Sequence, residues 1–188
     1  IMTVKGGFLI IISGPSGVGK SSITSSLLSD TKNLDFSISC TTRERRASEK
    51  DLEDYRFISK EEFQRMIDEN LFLEHEIVHG NFYGTPIEPI HDSLKFNHSI
   101  LLDIDVKGAS TIINTNHFDC VSIFVKPPSI EVLRKRLIER SDMSESKIEG
   151  RIEEAKNELT KSTYFNHMVI NEDLDDCLHD IRRILMSL

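Results

Sequence analysis

One octapeptide limits what this chain can fold into more than any other feature. Gly14-Pro15-Ser16-Gly17-Val18-Gly19-Lys20-Ser21 satisfies the pattern GxxxxGK[ST]. It follows Phe8–Ser13, a short β-branched run suited to a strand buried on both faces, and it opens Lys20–Ser29, which reads as a helix with Leu27 and Leu28 inward. In that setting the glycines let successive backbone N–H groups turn toward phosphate oxygens. The helix N-terminus adds partial positive charge. Lys20 can reach the β- and γ-phosphates of a nucleoside triphosphate, Ser21 can ligate Mg²⁺, and Ser22 extends the first helical turn beside them. A plain Gly-rich turn is the alternative, but it does not require every fixed position and the strand–helix context to agree.

The rest of the chain continues the alternation. Ser99–Ile104, Val121–Val125 and His167–Ile170 read as buried strands, the second stopped by Pro127-Pro128. Asp175–Leu185 reads as a closing helix with Leu178, Ile181, Ile184 and Leu185 on one face. Strands alternating with helices predict an α/β fold built on a parallel sheet. Two stretches break the rhythm. Residues 37–94 are polar, with aromatics and short strands around a helix near Glu61–Glu69. Residues 129–162 are helical and carry eight Lys/Arg against eight Asp/Glu. With 188 residues, a length typical of one domain, these are read as lobes: a core of 1–36, 95–128 and 163–188, an inserted lobe of 37–94, and a lid of 129–162.

The net charge is −8, from 23 basic and 31 acidic residues. That balance disfavours a nonspecific nucleic-acid or membrane binder, which carries a basic excess. Cys40, Cys120 and Cys177 form no CxxC pair and no even framework, which points to reduced thiols and a cytoplasmic location. The run Phe8–Ile12 is too short to span a bilayer and lacks the flanks of a signal peptide.

Candidate site residues gather around this frame. Leu101-Leu102-Asp103-Ile104-Asp105 is an apolar strand ending in two acids, at the sheet edge where α/β folds bind ligands. An acid there can hold Mg²⁺ through water. Thr41-Thr42-Arg43-Glu44-Arg45-Arg46 puts three guanidinium groups together, suited to bidentate phosphate contacts. Tyr55 and Tyr83 can donate to the same phosphate. Glu74 can accept from N1–H and the N2 amino group of guanine, and Thr85 can donate to O6; adenine would leave the carboxylate unsatisfied. Taken singly, each of these is equally a solvated Arg, a boundary Tyr or a surface Glu.

Taken in order, they resemble the guanylate kinase family over nearly the whole chain. The carriers are GPSGVGKS at 14–21, Ser39-Cys40-Thr41-Thr42-Arg43 with Arg46, Tyr55, Phe72-Leu73-Glu74, Gly80-Asn81-Phe82-Tyr83-Gly84-Thr85, Leu102-Asp103-Ile104-Asp105 with Gly108, Pro127-Pro128-Ser129, and Val169-Ile170-Asn171-Glu172-Asp173-Leu174-Asp175. The resemblance implies a P-loop kinase core, a GMP-binding lobe and a helical lid, with ATP and GMP as partners, Mg²⁺ as cofactor, and room for a homo-oligomer. It implies that Gly14 to Ser22 and Asn171 bind ATP. It places Ser39, Arg43, Arg46, Tyr55 and Tyr83 around the phosphate and ribose side of GMP, and Glu74, Thr85 and Asp103 on guanine. Asp105 becomes the acid near the metal. Arg136, Arg140 and Arg151 become lid arginines that neutralise the transferring phosphoryl group beside Lys20 and Arg43. From the residues alone, those three Arg read equally as partners of Glu139, Glu154 and Glu158 on helix surfaces.

Three departures accompany the match: Arg45 stands where the family usually has proline, Ala47-Ser48 with Lys50-Asp51-Leu52-Glu53 replaces a more glycine-containing stretch, and the lid turn reads Glu139-Arg140-Ser141-Asp142. Two other functions stay open. A non-catalytic module of this fold would bind phosphopeptides, but it has no need of an intact Gly19-Lys20-Ser21. A related kinase would take another phosphorylated acceptor, against which Glu74 with Thr85 argues. His75-Glu76-Ile77-Val78-His79 matches HExxH, but Ile77-Val78 predict a strand, where residues four apart lie about 13 Å from each other. His91, His98, His117, His167 and His179 show no ligand spacing and read as surface residues.

Overall fold

The structure, a computed structural model, describes residues 2–47, 49–115, 117–140 and 144–188, and all their side chains but that of residue 140. Among these, the order is β1 (Met2–Thr3), β2 (Leu9–Ser13), α1 (Lys20–Asp30), β3 (Thr31–Lys32), β4 (Leu34–Phe36), β5 (Cys40–Thr41), β6 (Arg56–Phe57), α2 (Lys60–Asp68), β7 (Phe72–Val78), β8 (Asn81–Pro86), α3 (Glu88–Lys95), β9 (Ser99–Asp103), α4 (Val106–Thr115), β10 (Cys120–Lys126), α5 (Ile130–Arg140), α6 (Glu145–Thr160), β11 (His167–Ile170) and α7 (Leu174–Met186).

Five strands in the order β11-β10-β2-β9-β4 form an all-parallel sheet. Its middle strand, β2, is buried at every residue, because helices cover both faces and the strand period of two sends alternate side chains to each. Ile10 and Ile12 join Leu101, Ile123 and Val125 under Ile23 and Leu27 of α1 and Leu178, Ile181 and Leu185 of α7. Leu9 and Ile11 join Ile100, Leu102 and Phe124 under Ile90 of α3 and Val106, Ala109 and Ile112 of α4. The chain leaves β2 toward β4 and β9 and later returns to β10 on the other side. Such a reversal opens a crevice at the carboxyl ends of the strands, and the loop after β2 lies there.

The segment between β4 and α3 forms its own four-stranded sheet, β6-β5-β8-β7. Cys40, Phe63 and Met66 are its core, with Phe63 stacked on Phe72 at 4.5 Å between ring centres. Ser59 caps α2, its Oγ accepting from the Glu62 N–H at 3.1 Å. A two-residue turn, His79-Gly80 with φ 49° and 79°, joins β7 to β8, the positive pair that suits a tight hairpin. Helices α5 and α6 pair through Leu133, Leu137, Ile148, Ile152 and Ala155, with an Arg134–Glu149 ion pair on the outside.

The four strands read from sequence all lie in the main sheet, and the HExxH run is strand and turn. The sequence reading did not find β4, the edge strand of Leu34–Phe36, which is too short for its periodicity to register. Nor did it find α3 or α4; all of α3 but its last residue falls within residues 37–94, yet it packs Ile90 on the main sheet.

Candidate active site

The loop from Gly14 to Gly19 wraps the start of α1. Gly14, Gly17 and Gly19 have φ of 143°, 87° and 102°, values that L side chains rarely adopt. Contacts add to this: a Cβ on Gly14 would meet the Val125 carbonyl at 2.3 Å, and one on Gly19 would meet Asn171 Nδ2 at 2.4 Å. Asn171 is buried in the turn after β11 and donates to the Val18 carbonyl at 2.7 Å. The turn after β11 is thereby fastened to the loop. Lys20 Nζ reaches back across it to the Gly14 carbonyl at 2.7 Å. The hydroxyl-bearing Ser16, Ser21 and Ser22 are exposed.

Beside the loop is a cleft of about 300 Å³, bounded by Gly17, Gly19, Ser22, Arg136 and the segment from Asn171 to Leu174. Arg136 holds the Glu172 carbonyl through Nη2 at 3.2 Å, while its Nη1 is buried with no hydrogen-bond partner. A buried guanidinium nitrogen of that kind calls for an acceptor. Arg151 of α6 donates to Ser16 Oγ at 3.0 Å. Arg151, Glu154 and Glu158 follow one helix face. Glu154 receives His79 Nε2 at 3.3 Å, tying the β7–β8 hairpin to α6. Glu158 comes within electrostatic reach of Lys20 and Asp105. Burial pushes its carboxyl up to about 7, with Lys20 opposing the rise and Glu154 and Asp105 adding to it.

Asp105 follows β9 and caps α4, its Oδ1 accepting from the N–H groups of Lys107 (2.7 Å) and Gly108 (3.1 Å). Oδ1 is committed to the backbone, and the carboxylate's other oxygen could accept from a hydrated cation. Hydroxyl and carboxylate oxygens, as at Ser21 and Asp105, are the donor set that suits Mg²⁺. Among the described residues no group of three or more His, Cys, Asp or Glu could hold a metal by itself.

The four-stranded sheet supplies the second part of the site. Glu74 of β7 is 7% exposed and accepts from the Thr85 hydroxyl across the sheet. Burial raises its carboxyl to about 7, with Thr85 opposing the rise and Asp105 and Glu76 adding to it. Gly108 lies directly beneath it: a Cβ there would meet Glu74 Oε2 at 2.5 Å. Nearby, Arg43 packs on the rings of Tyr55 and Phe57 at 5.6 and 5.7 Å. Its Nε donates to the Tyr83 hydroxyl at 3.1 Å. Tyr55 meets Tyr83 edge-on, and burial, aided by Asp103, raises its phenol well above the usual range.

The structure thus brings Arg43, Tyr55 and Tyr83 into one cluster, close to Asp103, and Glu74, Thr85 and Gly108 into another. Ser39 is buried at the foot of β5. Arg46 is exposed and held to Glu49 by its backbone N–H at 2.8 Å. Arg45, the departure from proline, donates to the Glu49 carbonyl at 2.8 Å and so closes the same loop. Thr85 spends its one hydroxyl proton on Glu74, the same proton assigned from sequence to O6. The side chain of Arg140, together with Ser48, Ser141 and Asp142, lies outside the described residues. Sequence reasoning missed Glu49 altogether and took Glu158 only as a salt-bridge partner. For Glu49 the sequence offered no signal, since Glu44 and Glu53 lie near the same arginines in the chain. For Glu158 the signal was the shared helix face with Arg151.

Known proteins resemble this chain along most of its length. The family model described as guanylate kinase matches residues 7–188. A guanylate kinase of Chlorobaculum tepidum is 43% identical over 89% of this chain and 86% of its own length. One of Mycoplasmoides gallisepticum is 41% identical over 100% of this chain and 96% of its own. The crystal structure of guanylate kinase from Anaplasma phagocytophilum superposes with a TM-score of 0.80 at 32% identity, covering 97% of this chain and 86% of that one.

Proposed function

The chain belongs to the guanylate kinase family and phosphorylates GMP with ATP, giving ADP and GDP, and on that premise we propose how its residues divide the work. The observation that carries the assignment is Glu74. It is a carboxylate withdrawn from water beside Thr85, with an intact phosphate loop at the neighbouring sheet edge. The loop Gly14-Pro15-Ser16-Gly17-Val18-Gly19 with Lys20, Ser21, Ser22 and Asn171 holds the ATP phosphates and base side. Arg43, Arg46, Tyr55, Tyr83 and Ser39 hold the phosphate side of GMP. Glu74 and Asp103 read guanine, and Thr85, its proton on Glu74, orients that carboxylate.

An oxygen of the GMP phosphate attacks the γ-phosphorus, and the bond to the β–γ bridging oxygen breaks, releasing ADP. The acceptor already carries a nucleophilic oxygen, so the protein supplies alignment and charge neutralisation rather than a strong base. Lys20 follows the γ-phosphoryl from the donor side. Arg136, whose Nη1 is unsatisfied, and Arg151, already over Ser16, close from the lid with Arg140. Closure of lobe and lid excludes water and so suppresses ATP hydrolysis. Mg²⁺, held by Ser21 and through water by Asp105, would screen the phosphate charge when bound with ATP. No helix among the described residues is long and apolar enough to cross a membrane. The unpaired Cys40, Cys120 and Cys177 support a reducing, cytoplasmic setting.

The test is Glu74→Gln in a coupled assay of ADP release. The assignment expects the KM for GMP to rise at least tenfold with the KM for ATP within twofold, since a lost charge-assisted hydrogen bond costs about 1.5–3 kcal/mol. Equal rises in both would remove Glu74 from the guanine site.

A further inference from the structure

Arg43 has more of its donors fixed than any other arginine in the acceptor site. Its Nε donates to the Tyr83 hydroxyl, its Nη1 to the Glu44 carbonyl (2.7 Å) and Glu49 Oε2 (3.0 Å), and its Nη2 to Glu49 Oε1 (2.8 Å). A guanidinium has five N–H groups, so one, on Nη2, remains. Glu49 also takes the Arg46 backbone N–H at 2.8 Å and lies 3.8 Å from Arg46 Nη1. Its side chain is only 14% exposed. Burial pushes its carboxyl up, but the hydrogen bonds from Arg43 and Arg46 prevail and hold it below the ordinary carboxylate range. It is therefore an anion at neutral pH.

Two consequences are open to such a carboxylate beside a phosphate site. It can be a stand-in that the GMP phosphate must displace, or a fixed brace that the phosphate binds beside. The geometry favours the brace. Glu49 is forked to Arg43 in the planar bidentate manner that is both strong and directional. It also caps the backbone at Arg46, and its own N–H and C=O close the loop, to the Arg46 carbonyl (3.1 Å) and from Arg45 Nη1 (2.8 Å). Displacing it would unmake the loop that carries both arginines.

We propose that Glu49 is a positioning residue for GMP. It locks the Arg43 fork and the turn at Arg46 so that the remaining Nη2–H, the Arg46 guanidinium and the Tyr83 hydroxyl meet the acceptor phosphate already aligned. The proposal rests on the assignment of Arg43 and Arg46 to that phosphate. Preorganisation of this kind lowers the ordering cost of binding, and its effect falls on GMP alone.

The sign of the effect separates it from plain electrostatics. Removing a negative charge near the site of a dianion should tighten GMP by Coulomb's law, and so should removing a competing stand-in. The brace predicts the opposite. In the full chain, Glu49→Gln sets an amide donor against the Arg43 donors and should raise the KM for GMP about tenfold or more, with the KM for ATP within twofold. Glu49→Asp keeps the charge but shortens the reach by about 1.5 Å; it should raise the KM for GMP too, and it carries the test if the Gln variant fails to fold. Glu53→Gln, the same charge change at an exposed position paired with Lys50, should leave both constants unchanged. In the wild-type chain, ¹⁵N NMR should show resolved, hindered Arg43 Nη–H signals that persist when GMP is added. An unchanged or lowered KM for GMP in the Glu49 variants, a parallel rise in both constants, or loss of the hindered signals on adding GMP overturns the proposal. Arg43→Ala separates the two levels: if it leaves the KM for GMP unchanged, the phosphate assignment itself fails, whatever Glu49 does.

Discussion

Gly108→Ala is a perturbation whose effects on stability and on function should part company. Gly108 lies in the first turns of α4 without a positive φ, so alanine is conformationally acceptable there. Helix propensity alone would favour it by about 1 kcal/mol. The new methyl, however, would stand 2.5 Å from Glu74 Oε2 and 2.9 Å from its Cδ. Ordinary contact begins near 3.4 Å, so Oε2 must withdraw by 3.4 − 2.5, or about 0.9 Å. The carboxylate end of a side chain can move that far without unfolding the helix. It cannot do so and keep two hydrogen bonds to guanine, because their strength falls steeply with distance and angle. Losing one of them, at about 1.5–3 kcal/mol for a bond to a charged group, predicts a KM for GMP raised about ten- to a hundredfold. The KM for ATP should stay within twofold and the thermal midpoint should not fall. The assay is coupled ADP release with GMP titrated at saturating ATP, alongside calorimetry. A KM for GMP within twofold of the parent would refute the placement of Glu74 against α4 as the guanine-reading arrangement.

Other expectations follow from the same geometry. Glu74, its carboxyl raised to about 7 chiefly by burial, binds more protons folded than unfolded between pH 4.5 and 7, so its ionisation subtracts stability as pH rises through that window. Glu74→Gln should therefore unfold later than wild type at pH 8, by on the order of 3 kcal/mol, and the gain should vanish below pH 4.5; a constant difference across pH contradicts this. In wild type the KM for GMP should climb as pH falls below about 7, and Glu74→Gln should lose that part of the profile. Leu52 is 61% exposed with φ 62°, a conformation that costs an L side chain about 1–2 kcal/mol and costs glycine little. Leu52→Gly should raise the urea midpoint by roughly 0.5–1 kcal/mol equivalent, and a lowered midpoint counts against that strain. Asn171→Ala strands the Val18 carbonyl and should destabilise by about 1–3 kcal/mol while raising the KM for ATP and sparing that for GMP; the reverse split would unseat Asn171 from the ATP side.

How much of this was legible in the sequence differs residue by residue. The phosphate loop could be read outright, because its chemistry depends on contiguous residues between a strand and a helix. The buried strands could be read too, since helices on both faces turn them into unbroken apolar runs such as Ile10-Ile11-Ile12. The strand through His75-Glu76-Ile77-Val78 could be read as well, because the β-branched Ile77 and Val78 favour it. Glu49 was not legible: its partners Arg43 and Arg46 are near in sequence, but a polar loop has no period that tells which acid turns inward. The contact of Gly108 with Glu74 joins residues from α4 and β7 that only the tertiary fold brings together. Glu158 showed its helix face but not what that face meets. Leu34-Asp35-Phe36 became an edge strand through pairing with β9, not through any pattern of its own.

In the proposed mechanism the intact loop at Lys20 and the buried carboxylate of Glu74 serve one reaction. Its most direct test is ADP release from Mg-ATP with GMP, dGMP, AMP, CMP and UMP offered in turn, in wild type and in Lys20→Ala. Turnover should depend on a guanine nucleotide, exceed that with AMP, CMP or UMP by orders of magnitude, and disappear in Lys20→Ala. Turnover of similar size with AMP, or activity that survives the loss of Lys20, would contradict it.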